Sequence, residues 1–362
     1  MKKTIVLSIF IFALTSSFTA KNTTSGSHTT RKKSNVVLLK GKTQSELSTI
    51  AQSDSNTHVR YLAVQRLTDQ SVLSTVVQSD EDEKVRELAL QKVSSQSVLS
   101  TVAQSDDNAH VRYLAVQRLT DQSVLSTIVQ SDEDEKVREL ALQKVSSQSV
   151  LSTVAQSDDN AHVRYLAVQR LTDQSVLSTV VQSDEDEKVR ELALQKVSSQ
   201  SVLSTVAQSD DNADVRYLAV QRLTDQSVLS TVVQSDEDEK VRELALQKAS
   251  SQSVLSTVAQ SDDNADVRYL AVQRLTDQSV LSTVVQSDED EKVRELALQK
   301  VSSQSVLSTV ALSDDNAHVR YLAVQRLTDR SVLSTVAKRD ADADVRKLAA
   351  KRLKKTLNSR RL

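Results

Sequence analysis

Histidine, the side chain most often used for proton transfer near neutral pH, recurs at one position of a repeated segment. The four copies are His58, His110, His162 and His318. In two segments that are otherwise almost identical, Asp214 and Asp266 take this position. Chemistry shared by all segments therefore cannot depend on imidazole, and histidines two segments apart are too distant to bind one metal ion. We expect no catalytic residue, no cofactor and no enzyme activity.

Runs of acidic residues form a second group with potential chemistry. Asp80, Glu81, Asp82 and Glu83 are consecutive, and similar runs recur along the chain. Carboxylates suit Ca²⁺, but these runs lack the glycine and the closing ligand of a calcium-binding loop. We interpret them as solvated turns and assign no metal ligands, with weak divalent-cation binding as the alternative. The chain has no glycine beyond Gly41, which excludes a glycine-rich phosphate loop in the repeats.

Tyrosines occupy a third recurring position. They are Tyr61, Tyr113, Tyr165, Tyr217, Tyr269 and Tyr321. Helical spacing puts His58, Tyr61 and Gln65 on one face. We predict that the tyrosines bind an extended or repetitive partner, since tyrosine combines a large contact area with a polar tip. The same helical faces carry Gln117, Gln169, Gln221 and Gln273 as further candidate binding residues. The alternative is that each ring packs over a Glu or Lys side chain of the adjacent segment.

These segments belong to a repeat that fills most of the chain. Twelve Val-Arg pairs stand 26 residues apart, from Arg60 to Arg346, so that twelve repeats span residues 44–355. Two versions alternate. One contains HVRYLAVQRLTDQ, as at 58–70, and is called the tyrosine repeat; the other contains KVRELALQKVSSQ, as at 84–96, and is called the glutamate repeat. A fixed period of this length indicates stacked supersecondary units.

Each repeat is predicted to contain two short helices. The apolar stripe of the first helix is Val72, Leu73, Val76 and Val77, with Asp69 or Thr68 as its N-cap. The stripe of the second helix is Val85, Leu88, Ala89 and Val93, and its acidic start suits the helix dipole. The sequence contains no proline and only two glycines. We therefore predict an all-α array with an aliphatic core.

The terminal repeats differ from the inner ones. A single repeat has too few apolar side chains to fold alone, so neighbouring repeats must bury each other's flanks, and the outer faces of the end repeats must be polar. Glu46 stands where inner repeats have Val, and Lys338, Arg339 and Lys347 replace Gln, Ser and Tyr or Glu. These replacements are typical of capping repeats.

The second helix resembles a known signature. Asp80, Val85 and Arg86 are followed by Leu88, Ala89 and a closing apolar residue. This pattern is similar to the HEAT repeat, and the short unit with Leu-Thr-Asp-Gln turns resembles HEAT-like and leucine-rich-repeat-variant arrays. Over residues 44–355 the resemblance implies an α-solenoid of twelve two-helix repeats, forming a right-handed superhelix that binds proteins, with the second helices on its concave side. The chain lacks the proline of longer HEAT units and the Asp-Pro turn of the variant family, which leaves open whether the first helix is α or 3₁₀.

An aspartate precedes each repeated arginine by six residues, as Asp80 precedes Arg86 and Asp184 precedes Arg190. The aspartate follows the first helix and the arginine opens the second. We predict that these residues are structural rungs, not a binding site, because a charge-assisted bond would tie the turn to its own repeat or to the next one.

The ends of the chain have their own character. Residues 1–20 combine a basic start, an apolar run and small residues, the pattern of a secretory signal peptide, with an uncleaved anchor as the alternative. Residues 21–43 are expected to form a basic Ser/Thr-rich linker and residues 356–362 a basic tail. The chain has no cysteine, and an exported helical protein needs no disulfides. We expect an exported protein, periplasmic or secreted, and a monomer.

Charge is segregated along the chain. Residues 44–337 contain 28 Lys/Arg and 45 Asp/Glu, whereas residues 21–42 carry six basic residues and no acidic one. The last twelve residues carry six basic residues. An acidic array is a poor partner for nucleic acid, which needs a basic track. The basic termini are candidates for contact with anionic surfaces, and solvated tails are the alternative.

Two functions fit these observations. The first is a non-enzymatic scaffold outside the cytoplasm that binds a protein, peptide or surface polymer through the repeated face of the second helices. The second is a structural spacer without a specific ligand on the array. Tyrosine persists in all six tyrosine repeats, which favours binding, while the uniformity of the turns favours the spacer.

Overall fold

The computed structural model describes residues 39–358. These residues are helical apart from short turns, and no β-strand occurs among them. The predicted signal peptide at 1–20, the predicted linker as far as residue 38 and the last four residues of the predicted tail lie outside the described residues.

Twenty-four α-helices follow one another in this range, two in each repeat. Their bounds are α1 Gln44–Ser53, α2 Thr57–Arg66, α3 Gln70–Ser79, α4 Glu83–Lys92, α5 Gln96–Ser105, α6 Ala109–Arg118, α7 Gln122–Ser131, α8 Glu135–Lys144, α9 Gln148–Ser157, α10 Ala161–Arg170, α11 Gln174–Ser183, α12 Glu187–Lys196, α13 Gln200–Ser209, α14 Ala213–Arg222, α15 Gln226–Ser235, α16 Glu239–Lys248, α17 Gln252–Ser261, α18 Ala265–Arg274, α19 Gln278–Ser287, α20 Glu291–Lys300, α21 Gln304–Ser313, α22 Ala317–Arg326, α23 Arg330–Arg339 and α24 Ala343–Asn358. Odd numbers mark first helices and even numbers mark second helices. The predicted all-α array of two-helix repeats is confirmed, and the first helices are α-helical.

Packing divides the described residues into two units, one ending at Ile128 and the other beginning at Val129, so that the division falls inside α7. Within each unit the two helices of a repeat pack against each other. Second helices of neighbouring repeats also pack together more extensively than first helices do. The second helices therefore form the more closely packed layer of each unit.

Polar side chains define where the helices begin. Asp69 is the N-cap of α3 and accepts hydrogen bonds from the N–H groups of Ser71 and Val72. Asp82 caps α4 in the same way. These bonds satisfy N–H groups that the first turn of a helix leaves without a partner. In a chain with no proline, side-chain caps thus set the helix limits.

An aliphatic core lies between the helices. In the repeat at 70–95 the buried side chains are Leu73, Val76, Val77, Val85, Ala89, Leu90 and Val93. Leu88, which the periodicity placed in the core, is half-buried instead, and Leu90 is the buried leucine of α4. A second helix contacts its own first helix as well as second helices on its flanks. These neighbours decide which arc of the helix is buried.

A ladder of buried arginine–aspartate pairs joins successive repeats. Arg164 donates from Nε and Nη2 to the two carboxylate oxygens of Asp184 at 2.8 and 2.9 Å, and from Nη1 to the main-chain carbonyl of Asp158 at 2.9 Å. The side chains of Arg164 and Asp184 are 6% and 4% exposed. The hydrogen bond with Asp184 raises the pKa of Arg164 above its ordinary value. The Oδ1 atom of Asp184 also accepts a hydrogen bond from the main-chain N–H of Asp186.

The same bidentate contact recurs in both units. In the first unit it joins Arg60 to Asp80 and Arg86 to Asp106. In the second unit it joins Arg138 to Asp158, Arg164 to Asp184, Arg190 to Asp210, Arg216 to Asp236, Arg242 to Asp262, Arg268 to Asp288, Arg294 to Asp314 and Arg320 to Asp340.

Each arginine of this ladder therefore binds the carboxylate of the following repeat. Arg190 binds the carboxylate of Asp210, whereas Asp184, six residues before it, supplies only its main-chain carbonyl. Arg86 likewise binds the carboxylate of Asp106. Removal of the Asp184 carboxylate would therefore leave Arg164, and not Arg190, without its partner. The Nη1 group of the arginine reaches its own turn, and the Nε–Nη2 edge faces the next repeat.

A second set of bonds joins the C-terminal ends of the second helices. Lys196 Nζ donates to the carbonyls of Val168 and Gln169 at 2.7 and 2.8 Å. Arg170 makes the corresponding bond to the carbonyl of Leu142. A cation at a helix C-terminus satisfies free carbonyl groups and complements the helix dipole. Burial lowers the pKa of Lys196. The lysine of the glutamate repeat and the arginine of the tyrosine repeat therefore make corresponding hydrogen bonds to the end of the preceding second helix.

The residues just before α1 belong to the first repeat. The Leu39 side chain is buried, and Gly41 has a φ of 82° that favours glycine. Thr43 and Glu46 form a capping box at the start of α1. Glu46 has its pKa lowered to about 2, chiefly by the hydrogen bond from Lys42 and then by bonds from Thr43. The last five residues of the predicted linker thus cap the first helix.

Deletion of residues 148–199, one tyrosine repeat and one glutamate repeat, should leave a folded protein. The deletion joins Ser147 to Gln200, which repeats the natural Ser147–Gln148 junction. Because each repeat contacts mainly its neighbours, stability is a sum of local terms. We expect the same helical circular dichroism per residue. A loss of helical signal would contradict the repeat packing.

The substitution Asp184→Ala should destabilise the protein by leaving the buried Arg164 without its carboxylate. We expect the free energy of unfolding to fall by about 1–3 kcal/mol in urea. The matched control is Glu185→Ala, which removes a carboxylate that is 84% exposed and 3.3 Å from Arg164 Nη2. An exposed pair of this kind contributes about 0–1 kcal/mol. Equal urea midpoints for the two variants would show that the buried contact does not contribute.

Candidate binding surface on the second helices

Each tyrosine is the fifth residue of a second helix. In α10 the residues Val163 and Ala167 are buried, which turns the opposite side of the helix outward. On that side His162 and Gln169 are exposed and Tyr165 is half-buried. All six tyrosines are half-buried in the same way. The tyrosine row therefore presents part of each ring to solvent.

A groove lies between the second helix of a tyrosine repeat and the glutamate repeat that follows it. Between α10 and α12 it encloses about 530 Å³. Its walls are Ala161, His162, Tyr165, Asp186, Lys188, Glu191, Leu192 and Gln195. Grooves with corresponding residues lie beside Tyr269 and beside Tyr321. The groove beside Tyr269 repeats the Tyr, Lys, Glu, Leu and Gln of the first groove, whereas the groove beside Tyr321 has Asp344, Lys347 and Lys351 at the Lys, Glu and Gln positions.

Leu192 is a wall residue that the sequence analysis did not place in the site. It is half-buried and faces the groove, while Leu194, two residues on, is buried. The sequence contains a signal for this arrangement, since two leucines spaced by two residues cannot both lie in one narrow stripe of a helix. Which of the two is buried depends on the neighbouring helices.

The groove combines an apolar wall with charged and amide groups. Tyr165 and Leu192 supply the apolar surface, and Lys188, Glu191 and Gln195 supply polar ends. Aromatic and aliphatic walls with a few polar groups suit a side chain or ring that has one apolar face and one polar edge.

The histidine position lies against the glutamate of the preceding repeat. The distance from Nε2 of His162 to Oε1 of Glu139 is 3.7 Å. In α14 an aspartate, Asp214, replaces the histidine. The pKa of Glu191 is raised there, chiefly by burial and then by the charge of Asp214. The replacement of His by Asp therefore changes the charge at the edge of the surface and leaves the tyrosine in place.

The structure distributes the predicted site residues over separate places. Tyr165, Tyr269 and Tyr321 each line their own groove, so the tyrosines do not converge on one pocket. The predicted rungs at Asp184 and Arg190 lie in the buried ladder, and neither is among the wall residues of the groove beside Tyr165. Within residues 39–358, no cluster of three or more His, Asp or Glu side chains could hold a metal ion. The candidate surface therefore consists of separate grooves.

The architecture is an array of repeats that each contain two α-helices. No family model matches the chain, and no curated protein matches it significantly. A leucine-rich repeat variant with a novel repetitive structural motif is similar at 21% identity and a TM-score of 0.42, over 66% of this chain and 88% of that one. The HEAT-like repeats protein of Thermococcus onnurineus NA1 has 16% identity and a TM-score of 0.14, over 86% and 98%. A designed armadillo repeat protein has 18% identity and a TM-score of 0.10, over 79% and 99%. These values transfer no ligand to this chain.

The substitution Asp214→His should reduce the pH dependence of stability. The folded-state pKa of Glu191 lies above its ordinary value of 4.5, so the natural protein loses stability as pH rises through that raised pKa. A protonated histidine would reverse the sign of the neighbouring charge and bring this pKa down. We expect a gain below about 1 kcal/mol near pH 5–6, measured by urea unfolding across pH 4–7.

The reciprocal variant His162→Asp provides the control, because it recreates the Asp214 environment beside Glu139. It should lose stability over the same pH range. Identical pH profiles for both variants and the natural protein would show that these surface charges do not interact.

Proposed function

We propose that this protein is a non-enzymatic scaffold that binds an extended or repetitive partner through the grooves of its second helices. The observation that carries the proposal is the recurrence of one groove beside Tyr165 and Tyr269, with Tyr, Lys, Glu, Leu and Gln at corresponding positions of its walls. A partner with regularly spaced side chains or sugar units would meet the same contact more than once. The partner class is a protein, a peptide or a surface polymer.

The ladders support this function by fixing the groove walls. Tyr165 and Leu192 lie on neighbouring second helices, and the arginine–aspartate bonds and the lysine bonds to helix ends hold such helices in register. A rigid site loses little conformational entropy on binding. Weak contacts repeated on one rigid scaffold add as avidity.

The charge of the array restricts the partner. Residues 44–337 have 28 Lys/Arg against 45 Asp/Glu, which opposes nucleic acid and strongly acidic ligands. The groove itself contains both Lys188 and Glu191. A neutral or basic polymer with apolar side groups suits this surface best.

We also propose that the protein lies outside the cytoplasm. This proposal rests on the basic start and apolar run of residues 1–20 and on the lack of cysteine. Labelling of intact and lysed cells with an antibody against the array would test it. Signal only after lysis of the inner membrane would contradict it.

A structural spacer is the second candidate, and a specific observation favours it. The tyrosines are half-buried, so each ring also contributes packing between repeats. A stiff array held by buried ladders would set a distance even without a ligand.

Replacement of four central tyrosines separates the two candidates. Ligands are first selected on the full chain from a random displayed-peptide library and from a panel of envelope polysaccharides. The variant with Tyr113, Tyr165, Tyr217 and Tyr269 changed to Ala should then lose about 100-fold in affinity, and Tyr165→Ala alone about tenfold or less, because the contacts add as avidity. Isothermal titration calorimetry measures both losses.

The matched control changes Gln104, Gln156, Gln208 and Gln260 to Ala on the first helices of the same four repeats. These side chains are exposed, and the affinity should be unchanged. If the tyrosine variant keeps its affinity but melts at a much lower temperature, the rings serve packing and the spacer is the better description.

A further inference from the structure

The last helix carries a stripe of lysines. Lys347, Lys351, Lys354 and Lys355 are all exposed on α24. They stand at i, i+4, i+7 and i+8, so they share one face of the helix and span about 12 Å. Asp344, the acidic residue of α24, pairs with Lys347 at 3.0 Å at the start of the stripe. Three ammonium groups follow it without an acidic residue between them.

The inner repeats have a different stripe at these positions. In the glutamate repeat at 174–199 the corresponding residues are Glu191, Gln195, Ser198 and Ser199. The repeat at 330–355 contains nine Lys/Arg and three Asp/Glu, whereas residues 44–329 contain 27 Lys/Arg and 45 Asp/Glu. Positive charge is therefore concentrated in one repeat of an otherwise acidic array.

The stripe projects from a packed helix. Val345 and Ala349 of α24 are buried. Arg352 Nη2 donates to the carbonyl of Leu327 at 2.7 Å, and α24 packs against α22 and α23. The helix is therefore fixed before any partner arrives, and binding through the lysines requires no folding of the backbone.

We propose that this lysine stripe binds the headgroups of an anionic phospholipid bilayer. A negative surface potential attracts adjacent lysines over about one Debye length. A row of ammonium groups on one helix face meets many phosphates at once on a planar surface, which a single small anion cannot provide. Among residues 39–358, no helix combines the length and hydrophobicity of a membrane span. Over residues 343–355 of α24, no large apolar side chain is exposed. The contact is therefore peripheral and reversed by salt.

The carboxylates of a second copy are a weaker partner. The exposed acids of the turns, such as Asp159 and Glu185, are already bound to Arg138 and Arg164 at 2.7 and 3.3 Å. Their charge is partly neutralised within the chain. The excess negative charge of residues 44–329 is also repelled by an anionic bilayer, so the last repeat is the part that approaches it.

The test is co-sedimentation of the full chain with phosphatidylcholine vesicles that contain or lack phosphatidylglycerol. The natural protein should bind only the anionic vesicles and dissociate at high salt. The variant with Lys347, Lys351, Lys354 and Lys355 changed to Gln should lose about tenfold or more in binding. Glutamine keeps a high helix propensity, and circular dichroism checks the fold.

The matched control changes Lys84, Lys136, Lys188 and Lys240 to Gln. These lysines are exposed, one in each of four inner glutamate repeats, and the change in total charge is the same. The control variant should bind the vesicles as the natural protein does, and only vesicle binding is compared, because Lys188 also lines the groove beside Tyr165. Equal losses in both variants, absence of binding to anionic vesicles, or binding that the stripe variant retains would each overturn the proposal. The proposal would also be overturned if replacing the stripe changed only the self-association of the protein, measured by sedimentation velocity without vesicles.

Discussion

The bidentate bond from an arginine of one repeat to an aspartate of the next is the interaction on which the rest of the structure depends. Arg164 and Asp184 are both nearly buried, and a buried ion is tolerated only when its partner is in place. The bond therefore fixes the relative position of two repeats more than it increases the net stability of the fold. A repeat of another length would carry the aspartate away from the guanidinium, which gives a physical reason for twelve repeats without insertion or deletion.

The other contacts between repeats follow from this register. Lys196 reaches the end of the preceding second helix, and Gln174 joins the turn after α12 by donating to the carbonyl of Lys196 and accepting the N–H of Ser198. Both bonds need the spacing that the ladder fixes. Within the second unit this spacing recurs, and a groove of the same composition lies beside Tyr165 and again beside Tyr269. Repetition of the site is a consequence of repetition of the interface.

The charged side chains that hold the repeats together are different from those that lie exposed on the surface. The acids that face inward pair with arginine, while acids such as Glu185 remain 84% exposed at the turns. Lysine is half-buried at helix ends in the inner repeats but exposed as a stripe on α24. The same residue types thus serve packing at one position and the surface at another, and their position within the repeat decides which. The exposed residues of a terminal repeat can therefore differ from those of the inner repeats while its contacts with the neighbouring repeat stay the same.

The sequence by itself determined the repeat length, the all-α class and the location of the caps, because a strict period and N-cap residues such as Asp69 are local signals. The sequence also identified the recurring position of the tyrosines. It did not decide which repeat supplies the partner of Arg190, because two aspartates lie within reach in sequence and only packing shows which carboxylate faces the guanidinium. Nor did it decide that Leu192 lines a groove while Leu194 is buried. The buried arc of a helix is set by neighbours on several sides, and that information exists only in the tertiary structure.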